Sequence, residues 1–222
     1  MSKITERSPL RGGPAGSGPR DRSGKLRHAL GLEVLSLSYN AVEAVVGVAA
    51  GLAAGSVALV GFGLDAVVES ASAGVLIWRL GTERRGRRTA EEAERKAIRL
   101  VAVAFAALAL YVGVRSVLDL LAAARPEEST IGIVLAAVSL VVMPVLARAK
   151  RAAARDLDSR SLEGDSAQTM LCTYMSGVLL LGLAANSLWG WWWADPLAGL
   201  FIAALAAREA RELWVTEDVC CS

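Results

Sequence analysis

The sequence predicts an all-α, polytopic membrane protein with six transmembrane helices and both termini in the cytoplasm. Three observations predict it. Hydrophobic residues make up 54% of the 222-residue chain, above the usual share in a soluble domain. They collect into six long apolar stretches, and the short connectors between them carry most of the charge. When those stretches are threaded up and down through a membrane, all but two of the 24 lysines and arginines fall on one side.

A membrane-spanning helix needs about 20 apolar residues to cross a hydrocarbon core of about 30 Å. The candidate spans are 31–53, 56–80, 97–122, 130–148, 166–187 and 195–213. Before the first lies a Gly-, Pro-, Ser- and Arg-rich segment with no apolar core of a signal peptide. Residues 1–28 are therefore expected to be a disordered, basic, cytoplasmic tail. Gly55-Ser56 separates the first span from the second, and Arg125-Pro126-Glu127-Glu128 the third from the fourth. Between the fifth and sixth lie Trp189, Trp191, Trp192 and Trp193. Tryptophan favours the headgroup level, which places that loop at a membrane face. Residues 29–214 form the transmembrane unit, and 215–222 are expected to be a short cytoplasmic tail.

Orientation follows from the basic residues. They cluster in the N-terminal tail, in the second-to-third and fourth-to-fifth connectors, and at the end of the sixth span. Only Arg115 and Arg125 fall toward the opposite side. An even number of spans keeps every cluster cytoplasmic. Basic residues confined to loops in this way argue against nucleic-acid binding. Three cysteines, Cys172, Cys220 and Cys221, do not make a secreted disulfide framework. Cys220 and Cys221 are adjacent near the end of the chain and read equally as unmodified thiols or as a lipidation or metal site. His28 is the single histidine. It excludes a histidine-cluster metal site and leaves no good general base for a membrane enzyme.

Acidic residues inside the spans carry the functional signal. Glu43 lies mid-span in the first helix, and Asp65 and Glu69 lie mid-span in the second. An ionisable group at the bilayer centre costs about 2.5–3.5 kcal/mol, so these three facing lipid would cost about 8–10 kcal/mol. They must face the bundle interior, and they require something cationic: a metal ion or bound protons. Asp65 and Glu69 stand at i and i+4, one above the other on one helix face. Such a pair can hold a divalent cation, or protons when the cation is absent, and that competition is the basis of metal/proton exchange.

The fifth span supplies a matching face. Asp165, Gln168, Thr169, Cys172 and Ser176 recur at steps of three and four. Cys172 is a soft ligand suited to zinc, and Gln168, one turn earlier, offers an amide oxygen. As a small buried residue Cys172 has an equally ordinary packing role. Asn40 and Glu43 share a face of the first helix and either complete the site or orient its ligands. Asp165 lies near the cytoplasmic end, where it also reads as a solvated helix-start acid. Asp195, followed by Pro196, reads first as a helix start. Arg115 and Asp119, at i and i+4, are expected to neutralise each other. Gly47, Gly51 and Gly55 form a small-residue series that allows close helix contact.

These residues resemble the cation diffusion facilitator family of transporters over roughly residues 30 to 213. In the second span that family places an acid or histidine, then an aspartate four residues on; Asp65 and Glu69 match, with glutamate in the second place. In the fifth it typically has His-xxx-Asp, and Gln168 and Cys172 stand at those two places. The sixth begins Trp193-Ala194-Asp195-Pro196, which is also similar. The resemblance is to a divergent branch without the usual C-terminal cytoplasmic domain. It implies a secondary transporter that exports divalent cations, with zinc the expected ion, in exchange for protons by alternating access. It also implies a homodimer, here joined through membrane helices, and no prosthetic group. Asp65, Glu69, Cys172 and Gln168 are the implied metal ligands. Glu43, Asn40, Asp165 and Asp195 lie in a secondary or supporting position. The competing reading is a non-transporting membrane protein that binds metal or regulates a partner. Ala-, Arg- and Gly-rich composition points to a bacterial cytoplasmic membrane.

Overall fold

The computed structural model describes residues 19–83 and 90–219. Cys220 and Cys221, and much of the N-terminal and second-to-third basic clusters, lie outside the described residues. Those described form six helices and no strand: α1 Pro19–Ala54, α2 Val57–Glu83, α3 Ala90–Leu121, α4 Thr130–Leu157, α5 Arg160–Trp189 and α6 Ala194–Val219. One correction concerns the start. Residues 19–28, expected to belong to an unstructured tail, are the first turns of α1. Proline is well suited to a first helical position, because its ring presets the backbone angle and its missing N–H has no helical partner there.

Five helices, α1 to α5, are long and apolar enough to cross a membrane. α6 is 26 residues long. Its uninterrupted apolar run, Pro196 to Ala207, is only about a dozen residues before Arg208, Glu209 and Arg211, short of the roughly 20 a span requires. Large apolar side chains point outward all round the bundle, among them Val45, Leu100, Leu121, Val141 and Leu181. An aqueous surface disfavours that much exposed hydrocarbon, whereas lipid solvates it.

Helix boundaries follow local chemistry. Gly55 has φ +66°, a left-handed turn that glycine adopts without strain, and it ends α1. Gly190 does the same after α5 at φ +65°. Ser129 caps α4, its side chain accepting from the Gly132 N–H at 3.1 Å. The helix ends on this face are tied together. Glu127 N–H donates to the Ala54 carbonyl at 2.8 Å, and Asn186 Nδ2 donates to the Pro126 carbonyl at 3.0 Å. Beside them Trp191 and Trp193 stack with ring centroids 5.2 Å apart, both exposed, as suits side chains at a membrane interface.

Packing defines an inner quartet. α1 packs on α2, α2 on α5, α5 on α4, and α4 on α1, so that α1 and α5 stand diagonally across the interior from one another. α3 and α6 form a pair against the outside of α2 and α5. The α1–α2 crossing is backbone-close. A Cβ on Gly51 would lie 2.6 Å from the Val60 nitrogen, and one on Gly63 would lie 2.6 Å from the Val48 nitrogen. Gly47 and Gly51 thus serve the close contact their spacing suggested, while Gly55 serves the turn.

Candidate metal centre

Asp65 and Glu69 project from α2 into the quartet, and Cys172 projects from α5 to meet them. One ligand atom from each of the three lies within 4.8 Å of the others. The Cys172 thiol is 3.3 Å from Asp65 Oδ2 and 3.1 Å from Glu69 Oε2, placed to donate to either. A tetrahedral zinc with bonds of about 2.0 Å to oxygen and 2.3 Å to sulfur would set each S···O separation at about 3.5 Å. The three side chains therefore stand close to the spacing that such an ion would impose. All three are enclosed, at 4%, 1% and 4% exposure for Asp65, Glu69 and Cys172. Glu69 Oε1 has no hydrogen-bond partner, an acceptor left over in a buried place.

The other residues singled out by sequence divide into groups. Gln168, one turn before Cys172 on α5, keeps its buried Nε2 without a partner. Asn40 is fully buried, and neither its Nδ2 nor its Oδ1 has a partner. Glu43 is engaged with α4: Ser139 Oγ donates to Glu43 Oε1 at 2.5 Å, and the Tyr39 hydroxyl bonds Ser139 Oγ at 2.8 Å. It also lines an open groove of about 370 Å³ on the outer side of the α1–α4 contact, together with Tyr39, Val42, Val134 and Val138.

Two acids are occupied elsewhere. Asp195 caps α2 as well as opening α6. It accepts from Ser56 Oγ through Oδ1 at 2.5 Å and from the Val57 N–H through Oδ2 at 3.0 Å. Val57 precedes Asp65 by eight residues, about 12 Å along the helix, so Asp195 joins α6 to α2 well away from the acidic cluster. Asp165 is ion-paired to Lys150 at 2.6 Å and is buried, not solvated. Arg115 and Asp119 pair at 3.1 Å, as their spacing implied.

Sequence reasoning missed Lys150 and Glu33. Lys150 grouped naturally with the basic connector after the fourth span, and Glu33 with the edge of the first. Both are buried, at 1% and 0% exposure, and their charged groups are 3.2 Å apart. A signal was present: Glu33, Ser36, Asn40 and Glu43 recur at steps of three and four within one apolar helix. All four are buried. They form a polar stripe of about 15 Å down the interior face of α1.

Comparison with known proteins identifies the family. Residues 34–216 match the family model described as the cation efflux transmembrane domain. A cation-efflux pump, FieF, of Shewanella oneidensis is 30% identical over 87 residues, which is 39% of this chain and 29% of that protein. The aligned segment thus spans less than a third of that relative's length. With five helices able to cross a bilayer and a family match over most of its length, this chain is a multi-pass membrane protein that belongs to the cation efflux family.

Proposed function

We propose that the protein exports divalent metal cations from the cytoplasm, with zinc as its cargo, in exchange for protons and by alternating access. The observation that carries this reading is the convergence of Asp65, Glu69 and Cys172 in the bundle interior, each nearly sealed from the surface. Two carboxylates and a thiolate supply three negative charges at a depth where neither α1 nor α2 carries a basic residue. A borderline-soft dication satisfies that set, and sulfur favours zinc over magnesium or calcium. Gln168 completes the set through its amide oxygen. Asn40 supports it from α1: Glu33 and Asp165 both pair with Lys150. Asn40 and Cys172 each lie seven residues further along helices that run the same way, at about the same depth.

Protons enter because the same groups bind either species. Metal binding releases the protons held by the two carboxyls and the thiol, so an ion loaded on one side leaves when protons replace it on the other. Burial of the cluster keeps it from opening to both sides at once. The proposed topology has six spans, with α6 crossing as the partner of α3, and both termini in the cytoplasm, as the basic residues require. A homodimer joined through membrane helices completes the proposal.

Zinc uptake into inverted vesicles tests it. The wild-type chain should accumulate zinc when the vesicle interior is acidified, and Asp65→Ala with Glu69→Ala should abolish the uptake. Undiminished uptake in that double variant would falsify the site.

A further inference from the structure

A lysine ammonium is rarely enclosed in protein, because removal from water costs several kcal/mol unless partners replace the lost solvation. Lys150 is enclosed to 1% exposure, while Arg148, Arg151 and Arg155 on the same stretch of α4 are exposed. Its Nζ is 2.6 Å from Asp165 Oδ2 on α5 and 3.2 Å from Glu33 Oε2 on α1. Thr169 Oγ1, one turn from Asp165, lies 3.4 Å away and accepts from it. The contact with Glu33 is an ion pair without hydrogen-bond geometry, since both Glu33 oxygens lack a hydrogen-bond partner, as does Asp165 Oδ1. Two carboxylates thus hold one ammonium, with acceptor capacity to spare.

Position gives this triad its meaning. Asp165 lies seven residues before Cys172 on α5, about 10 Å along the helix axis. It lies toward the end of the bundle where α4 carries its basic residues. Beyond it is an apolar layer in which Ala29, Ala153, Ala154 and Leu162 stand about one turn further along α1, α4 and α5 than the triad, joined by Leu76 of α2. A cation moving between that end and the Asp65–Glu69–Cys172 cluster must pass both levels. α1 and α5 stand diagonally across the quartet, and Lys150 of α4 pairs with a carboxylate from each of them.

We propose that Lys150 is the gating residue on this side of the ion's route. Its tethered positive charge bars the passage while it bridges Glu33 and Asp165, and the passage opens when the Glu33 contact is released. The inference rests on the transport reading for its purpose. A divalent cation arriving at the triad competes for the same two carboxylates, so the gate responds to the class of ion that the inner cluster binds.

Cys172 provides the readout, because it is buried beyond the gate. With Cys220 and Cys221 replaced by serine, a membrane-impermeant cationic methanethiosulfonate is applied to oriented vesicles from one face, then from the other. Glu33→Gln leaves Lys150 and Asp165 as a balanced pair and so disturbs folding least. It should speed Cys172 modification by about tenfold or more from the face bearing the basic helix ends, with no change from the opposite face. Lys150→Gln should do the same. No acceleration in either variant overturns the proposal, and so does equal acceleration from both faces, which reports general loosening. Protection of Cys172 by zinc is scored in the same samples. Its absence alongside one-sided acceleration would count against the inner metal site and leave the gate standing.

Discussion

Cys172 is the residue that sets the chemistry of the inner cluster apart from a purely oxygen-lined one. Its sulfur lies between the two α2 carboxylates, and a thiolate raises affinity for zinc far more than for hard cations. Cys172→Ser should weaken zinc binding by more than about 100-fold, beyond what loss of a ligand's outer partner costs. Manganese or magnesium binding should change much less. Equilibrium dialysis of the purified protein against each metal checks this, and equal losses for all the ions would deny Cys172 a ligand role. A metal bound by two carboxylates and a thiol must displace their protons, so zinc affinity should rise as pH is raised until the ligands have lost their protons, and fall as pH drops. Zinc titrations at several pH values, with the released protons counted, read this directly. At the same scale, Glu33 and Lys150 illustrate what one-dimensional reading passes over. A lysine at the end of an apolar run looks like a loop residue until two carboxylates from other helices are brought within 3.2 Å of it.

Among the helices, the α1–α2 crossing depends on the absence of side chains. Gly51 and Gly63 let the two backbones meet, since a Cβ at either would lie 2.6 Å from a main-chain nitrogen of the partner. Gly63→Val should therefore push α1 from α2 and destabilise the bundle by about 1–3 kcal/mol. Since Asp65 is two residues away, it should also reduce zinc binding. A lowered melting temperature in detergent with weakened binding is the expected pair of results. Gly74→Ala, where an added methyl meets nothing within 4 Å, should leave both unchanged. The same scale holds the role of Asp195. It closes the ring of contacts at the far end by capping α2 through Ser56 and the Val57 N–H. Asp195→Asn should loosen the α2–α6 junction while leaving metal affinity close to wild type, measured by melting and dialysis together.

For the whole molecule, the sharpest expectation is topology. Alkaline phosphatase fused after Glu127 should be exported and active in a bacterial host, and the same reporter fused after Trp214 should stay inside and inactive. Activity at both junctions would remove α6 as a span. Depth in the membrane was legible from composition alone, because hydrocarbon tolerates only apolar side chains over about 20 residues and the charges must gather at the ends. For the same reason α1 to α5 lie where the apolar stretches put them, and the acids at positions 43, 65 and 69 stand out within them.

The membrane class, the helices and the alignment of Asp65 with Glu69 are thus readable from residue order, since they follow from apolar run length and from a four-residue spacing on one helix. Which residues of different helices meet is settled by packing. Helical periodicity orders side chains along and around each helix, but it is blind to the rotation and depth of one helix against another. That relative placement put Cys172 against the α2 acids, turned Asp165 toward Lys150, drew Glu43 to Ser139, and carried Asp195 to the start of α2.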